Sequence, residues 1–163
     1  MQKLKQKQKT RSIRNVALGL LSRREHSVLE LGRKLKSKGF SPQEIEPELQ
    51  SLQAERLLSN ERYTESYVHM RRQRGYGPLR IVMELRERGI DAQLAEHYLD
   101  IDNSNWLELL REQYVKKYGS STVDSYEEKV KRVKYLQNRG FAIDWILKSL
   151  SGLEMDTDGQ ENS

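Results

Sequence analysis

Leu35-Lys36-Ser37-Lys38-Gly39-Phe40, Leu85-Arg86-Glu87-Arg88-Gly89-Ile90 and Leu136-Gln137-Asn138-Arg139-Gly140-Phe141 are three copies of one pattern. Each reads leucine, three polar residues, glycine, then a large apolar residue. The glycines stand 50 and then 51 residues apart, and a leucine follows each by ten residues, at Leu49, Leu99 and Leu150. A fixed internal period marks a repeat architecture, in which one supersecondary unit is used several times. Function is therefore sought in what the three units present together.

The apolar spacing inside each unit is helical. Val28, Leu31 and Leu35 recur at three and four, as do Ile81 (or Val82) and Leu85, and Leu107, Leu110 and Tyr114. Ser27 with Glu30, Ser41 with Glu44, and Ser125 with Glu128 read as capping boxes. Pro42 and Pro78 stand at first helical positions, where a missing N–H costs nothing. Asn60 and Asp91 read as N-caps. The recurring glycine supplies a left-handed residue just past a helix end, and the apolar residue after it packs back on the preceding turn. Each unit is thus a helix–glycine–helix corner preceded by another helix, at about 12–24, 61–74 and 104–118. The expected fold is all-α: three tandem three-helix repeats, over 11–58, 59–101 and 102–150, in an elongated, curved, right-handed or solenoid-like stack. Leu52, Leu57 and Leu58 are expected to close the joint between the first two repeats. Residues 1–10 are expected to form a basic flexible tail and 151–163 an acidic disordered one. Charged tails covering the repeat ends favour a monomer.

Charge follows the repeat. Lys/Arg against Asp/Glu number 12 to 2 in residues 1–38, 2 to 6 in 39–70 and 6 to 2 in 71–90. The next blocks run 1 to 6 in 91–115, 7 to 3 in 116–140 and 1 to 5 in 141–163. Stacked in register, such units would carry a basic stripe, suited to a polyanion, beside an acidic one. The plainer alternative is a set of solvated helix faces. The net charge of +5 agrees with the first reading. There is no cysteine, so neither a disulfide nor a thiolate metal site is available. No apolar stretch is long enough to span a bilayer, and Met1–Arg11 lacks the apolar segment of a secretory signal. A soluble cytoplasmic protein is expected.

Nothing in the chain reads as catalytic. His26, His69 and His97 are scattered and lack partners at metal-ligand spacing. Gly75-Tyr76-Gly77-Pro78 lacks the Lys-Ser/Thr of a phosphate-binding loop. The reading is a non-enzyme without cofactor or metal. The densest patch is Arg71-Arg72-Gln73-Arg74-Gly75-Tyr76-Gly77-Pro78-Leu79-Arg80, four arginines about a turn that carries a tyrosine. Guanidinium forks suit phosphates and carboxylates, and a tyrosine can stack on a base or a protein surface. The bland reading is an interhelix loop with Tyr76 tucked against the next unit. A mixed role is expected, with the turn shaping the corner and the arginines meeting a partner. Lys34, Lys36 and Lys38, Arg86 and Arg88, Lys116 and Lys117, and Lys129, Lys131, Arg132 and Lys134 are the other basic stretches. The candidate contact set is Lys34, Lys36, Lys38, Arg71, Arg72, Arg74, Tyr76, Arg80, Arg86, Arg88, Lys116, Lys117, Lys131, Arg132 and Lys134.

Several stretches in a fixed order resemble the RecX family, bacterial regulators of the RecA recombinase. They are Glu30-Leu31-Gly32-Arg33-Lys34-Leu35, Lys38-Gly39-Phe40, Leu57-Leu58-Ser59-Asn60-Glu61-Arg62-Tyr63 and Tyr67-Val68. The resemblance is strongest at Gly75-Tyr76-Gly77-Pro78-Leu79-Arg80-Ile81, followed by Glu84-Leu85 and Arg88-Gly89-Ile90. Lys117-Tyr118-Gly119 and Arg139-Gly140-Phe141 extend it more loosely into the third unit. Asn60 departs from the family's usual Asp, which changes a local charge but not the capping capacity. The resemblance implies a stack of three-helix repeats that lies in the groove of the RecA filament on DNA. It implies inhibition of ATP hydrolysis, strand exchange and co-protease activity, and so a role in homologous recombination, DNA repair and the SOS response. The partner would be the RecA nucleoprotein filament, with single- and double-stranded DNA bound weakly or through it, and no membrane.

Two other classes compete. A plain nucleic-acid-binding module would use the basic stripe alone and leave the acidic helices after each glycine without a purpose. Its affinity would fall steeply with salt. A generic helical adaptor unrelated to DNA is the third class, and the arginine-rich turn argues against it only weakly.

Overall fold

The structure, a computed structural model, describes residues 12–102 and 105–158, with side chains as far as Gly152. The described residues form nine helices and no strand. They are α1 (Ile13–Leu21), α2 (Val28–Ser37), α3 (Pro42–Ala54), α4 (Asn60–Gln73), α5 (Pro78–Glu87), α6 (Ala92–Leu99), α7 (Trp106–Tyr118), α8 (Tyr126–Asn138) and α9 (Ile143–Asp158). They fall into three sets of three, and the three repeated glycines lie between α2 and α3, α5 and α6, and α8 and α9. The chain divides into two compact units. One holds the residues up to Tyr67 with Leu85–Leu94; the other holds Val68–Glu84 and the residues from Ala95 onward.

The corners form for the reason the sequence suggests. Gly39, Gly89 and Gly140 have φ of +94°, +77° and +99°, a region that side chains with a Cβ rarely enter. The residue after each glycine sends its N–H back over the turn, from Phe40 to Leu35, Ile90 to Leu85 and Phe141 to Leu136. This closes off carbonyls that a helix end leaves bare. Leu49, Leu99 and Leu150 are buried, as are Leu35, Leu85 and Leu136, so the repeated leucines are core positions.

In the first unit, Ala17, Leu31, Leu35, Ile45, Leu49, Leu52 and Leu58 form one cluster. Leu52 and Leu58 thus belong to the core around α1–α3. Leu57, expected beside them, is 40% exposed. Arg56 takes the left-handed conformation at φ +59°, and Leu57 and Leu58 both donate to the Leu52 carbonyl. The turn brings only the second leucine inward. In the second unit, Leu110, Tyr114, Leu136, Phe141, Ile146 and Leu150 form the core, and the buried Trp106 donates from Nε1 to the Leu99 carbonyl at 3.1 Å.

The helix starts are partly as expected. The Ser27 and Ser125 hydroxyls accept from the Glu30 and Glu128 N–H groups at 3.0 and 3.1 Å. The reciprocal carboxylates turn elsewhere, Glu30 to Arg24 and Glu128 to Arg132, because a guanidinium is a stronger partner than an amide. At Ser41 the Glu44 carboxylate does return to the serine N–H, at 2.8 Å. That bond, with a second from the Ser41 hydroxyl, holds Glu44 below the usual carboxylate range. Asp91 caps α6 through the Leu94 N–H at 2.8 Å. Asn60 does not cap α4. Ser59 accepts from Arg62 N–H there, and the Asn60 side-chain oxygen accepts from Val28 N–H at 2.9 Å, fastening α4 to the start of α2.

α9 continues through Asp158, into the segment expected to lack structure. The polar, acidic composition suggested disorder, yet the helix passes through Gly152, which disfavours it by about 1 kcal/mol, and through the weaker formers Asp156, Thr157 and Asp158. The basic tail over residues 1–10 and the last five residues, 159–163, lie outside the described residues.

Candidate functional site

The three glycine corners differ in what they touch. A Cβ placed on Gly39 would meet nothing within 4 Å. In the first unit, one placed on Gly89 would lie 2.8 Å from the Leu29 Cβ, and Arg33 Nη1 donates to the Glu87 carbonyl at 3.3 Å. The second-repeat corner therefore rests on the first turns of α2.

The Gly140 corner makes the equivalent contact with the start of α5, in more detail. Gly77 N–H donates to the Arg139 carbonyl at 2.7 Å, and Leu79 N–H to the Gly140 carbonyl at 3.0 Å. These are orphan donors at a helix start, satisfied here by another corner's carbonyls. A Cβ on Gly77 would collide with the Gly140 carbonyl, and one on Gly140 would stand 2.6 Å from the Arg80 backbone nitrogen. Two arginines stitch the junction from opposite sides. Arg80 Nη1 donates to the Asn138 carbonyl at 3.0 Å, and Arg139 Nη1 to the Arg74 carbonyl at 2.9 Å.

Tyr76 sits inside this arrangement. The guanidinium carbons of Arg71, Arg80 and Arg139 lie 3.8, 4.5 and 5.0 Å from its ring centroid. Contacts of this kind contribute up to about 2 kcal/mol when desolvated. The ring is half-buried and occupied by cations, so it is a structural element of the turn rather than a free stacking platform. Arg71 has a side chain only 11% exposed and is paired with Glu84, which also accepts from Arg80 Nε at 3.1 Å. Arg72 lies 4.5 Å over the Trp106 ring. Of the four arginines in the turn, Arg71 is therefore an internal brace, Arg72 and Arg80 are partly exposed, and Arg74 is exposed.

The remaining candidates sort by burial. Lys36, Lys38, Arg86, Lys116, Lys117, Lys131 and Lys134 are exposed. Lys34 is half-buried, its ammonium 3.1 Å from His26 Nε2, and Arg88 lies 4.8 Å over the Tyr67 ring. Arg132 is the clear correction. It is 3% exposed and donates to Glu128, to the Tyr114 hydroxyl at 2.6 Å, and to the Ser121 and Thr122 carbonyls, both at 2.9 Å. Counted back from the corner glycine, it occupies the place of the buried Leu31 and Ile81. It is a core residue whose charge pins the α7–α8 loop, and it has no surface to offer a partner. A run of lysines around it in sequence hid that role.

The alternation of charge has a helical cause. Acidic residues occupy the first turns of α2 (Glu30), α3 (Glu44), α4 (Glu61), α7 (Glu108), α8 (Glu127 and Glu128) and α9 (Asp144). Basic residues occupy the last turns of α2 (Lys34 and Lys36), α4 (Arg71 and Arg72), α5 (Arg86) and α7 (Lys116 and Lys117). Each sign complements the helix dipole. Part of the alternation is thus structural, whatever partner the exposed lysines meet.

His26 is 1% exposed. Burial, and then the charges of Arg24 and Lys34, pull its pKa below the ordinary histidine value against the bond to the Arg24 carbonyl. Among the described residues no group of three His, Asp or Glu side chains could hold a metal ion. No described helix is long and apolar enough to cross a membrane.

Family models described as the first, second and third three-helix domains of RecX match residues 14–52, 59–99 and 105–150. The regulatory protein RecX of Pseudomonas putida KT2440 is 39% identical over 145 residues, covering 89% of this chain and 93% of that protein. Its counterpart from Pseudomonas fluorescens Pf-5 is 41% identical over 148 residues, covering 89% and 94%. The crystal structure of RecX from Lactobacillus salivarius superposes with a TM-score of 0.72 at 28% identity, over 88% of this chain and 95% of that one.

Proposed function

Since the chain belongs to the RecX family, we propose that it is a negative regulator of the RecA recombinase, acting on the RecA–DNA filament in the cytoplasm. It binds the filament groove and restrains ATP hydrolysis, strand exchange and co-protease action, and so modulates DNA repair and the SOS response. The observation that carries this reading is the match of all three RecX domains in order, from residue 14 to residue 150. The named relatives are regulatory proteins and are matched over more than nine-tenths of their length.

The surface is compatible with such a partner. Lys36 and Lys38 beside the Gly39 corner, and Lys131 and Lys134 on α8, are exposed and make no ion pair among the described residues. Basic side chains left without partners raise the local potential toward nucleic-acid phosphates and acidic protein surface. Exposed Glu44, Glu46, Asp91 and Glu96 supply the opposite sign, which a filament of protein and DNA can use and naked DNA cannot.

Cosedimentation with RecA filaments assembled on single-stranded DNA tests the reading. The protein is expected to pellet with filaments at concentrations where it leaves the same DNA, without RecA, in the supernatant. Equal pelleting with bare DNA would favour a nucleic-acid-binding module, and none with either would refute the proposal.

A further inference from the structure

Counted back from their corner glycines, α2, α5 and α8 align place by place, with Leu29, Leu79 and Val130 ten residues before the glycine. In the first unit Leu29 meets the Gly89 corner, and Arg33 Nη1 donates to the Glu87 carbonyl at 3.3 Å. In the second, Leu79 N–H donates to the Gly140 carbonyl, and Arg80 Nη1 to the Asn138 carbonyl at 3.0 Å. Each face thus lends an arginine to an oxygen of the next repeat's corner. On α8 the places of Arg80 and Arg33 hold Lys131 and Lys134. Both are exposed, as is Val130, and neither lysine makes an ion pair or hydrogen bond among the described residues. α8 also begins earlier. α2 and α5 start 11 residues before their glycine, and α8 starts 14 before, at Tyr126. Tyr126 is 81% exposed, the most open large side chain of its kind among the described residues. The chain has eight tyrosines. Tyr63, Tyr67, Tyr76, Tyr98, Tyr114, Tyr118 and Tyr135 all touch another ring or a guanidinium, and Tyr126 touches neither. Tyr126, Val130 and Lys134 are four apart and form one stripe of the helix, with Glu127 and Lys131 beside it.

We propose that the outer face of α8 binds single-stranded nucleic acid, with a base stacked on Tyr126 and backbone phosphates met by Lys131 and Lys134. The inference rests on the filament reading above and names where its DNA component is held. The face carries two unpaired cations against one carboxylate, Glu127, so it favours an anionic partner. Lysine is depleted at the centres of protein–protein interfaces, whereas single-strand sites join positive charge to aromatic rings on which bases stack. A base inside a duplex already stacks on both of its faces, so the Tyr126 ring selects a single strand. Every base has such a face, and the binding should be indifferent to sequence. Glu127 then stands against the phosphates, and removing its charge should tighten binding. A basic protein surface would respond in the opposite sense.

The test uses the full chain and fluorescein-labelled oligo(dT), followed by anisotropy at higher protein concentrations than the cosedimentation requires. All the substituted side chains are exposed, so each variant should keep the wild-type circular dichroism and Tm. Tyr126→Ala is expected to weaken binding about tenfold, and Tyr126→Phe to keep it. On a strand of the same length built from abasic sites, Tyr126→Ala and wild type should bind alike, since no base is there to stack. Lys131→Gln with Lys134→Gln should lower the slope of log affinity against log salt by about 1.4, at about 0.7 for each phosphate contact. Glu127→Gln should raise the affinity. Undiminished oligo(dT) binding by Tyr126→Ala, an equal loss on the abasic strand, an unchanged slope in the lysine variant, weaker binding by Glu127→Gln, or no binding by the wild type would each overturn the proposal. So would a Tyr126→Ala protein that loses RecA-coated DNA but keeps oligo(dT), which would assign the face to a protein surface. RecA ATPase measured on the same proteins keeps the two claims apart. A wild type without effect on it would defeat the filament reading alone, and wild-type inhibition beside undiminished oligo(dT) binding by Tyr126→Ala would defeat the stacking face alone.

Discussion

Replacing the corner glycines by alanine separates two costs, the backbone strain of positive φ and the contact at the junction. Gly39 and Gly140 have almost the same backbone, at φ +94° and +99°. Forcing an L side chain into that region costs about 2 kcal/mol at either site. At Gly39 the new Cβ meets nothing within 4 Å, so Gly39→Ala should lose that amount and no more. At Gly140 the Cβ would stand 2.6 Å from the Arg80 backbone nitrogen and 2.9 Å from the Gly77 carbonyl, so the corner must back away. Retreat breaks the Gly77–Arg139, Leu79–Gly140, Arg80–Asn138 and Arg139–Arg74 hydrogen bonds. At about 1 kcal/mol each these add about 4 kcal/mol, for a total near 6 kcal/mol. Urea unfolding followed by circular dichroism measures both. In a chain of this size each 1 kcal/mol lowers Tm by about 2–4 °C, so the two variants should be readily distinguished. Equal losses at Gly39 and Gly140 would show that the junction contributes nothing to stability and that the contact described here is incidental.

Other outcomes follow from single side chains. Arg132→Ala should cost about 3 kcal/mol, because it strips the donor from the buried Tyr114 hydroxyl and releases the Ser121 and Thr122 carbonyls that the guanidinium holds; a loss below about 1 kcal/mol in urea would return it to the surface set. Arg71→Glu should destabilise, since it sets a second carboxylate against Glu84 and removes a cation from Tyr76; an unchanged Tm would contradict the bracing role. His26 has a folded-state pKa below its unfolded value. The native state therefore binds fewer protons, and stability that is complete above about pH 6.5 falls as the pH drops through that value and below. His26→Gln should lessen that fall, and identical urea midpoints against pH in both proteins would dismiss it. Charge reversal of the exposed Lys36 and Lys38 should leave stability within about 0.5 kcal/mol and weaken filament binding in cosedimentation; undiminished pelleting would remove them from the interface.

The architecture was legible because its signals were local and repeated. A glycine forced to positive φ, a leucine ten residues on and the serines before α2, α3 and α8 are constraints on the backbone of one turn, and they survive tertiary context. The site was less legible because its roles depend on neighbours distant in sequence. Arg132 and Lys131 adjoin in the chain, yet one is enclosed by the α7–α8 loop and the other faces water. Tyr76 reads as an exposed aromatic until Arg139, 63 positions away, is placed beside it. One signal was available: a basic residue precedes every corner glycine, at Lys38, Arg88 and Arg139. Asn60 likewise reads as a cap from its position, and only the packed structure shows its oxygen on the α2 start.

The most direct test of the regulatory account is RecA ATPase on saturating single-stranded DNA, with this protein titrated in and its DNA binding followed in parallel. The account predicts inhibition at protein levels far below those that cover the DNA. Inhibition that appears only as the DNA becomes covered, or no inhibition at all, would contradict it.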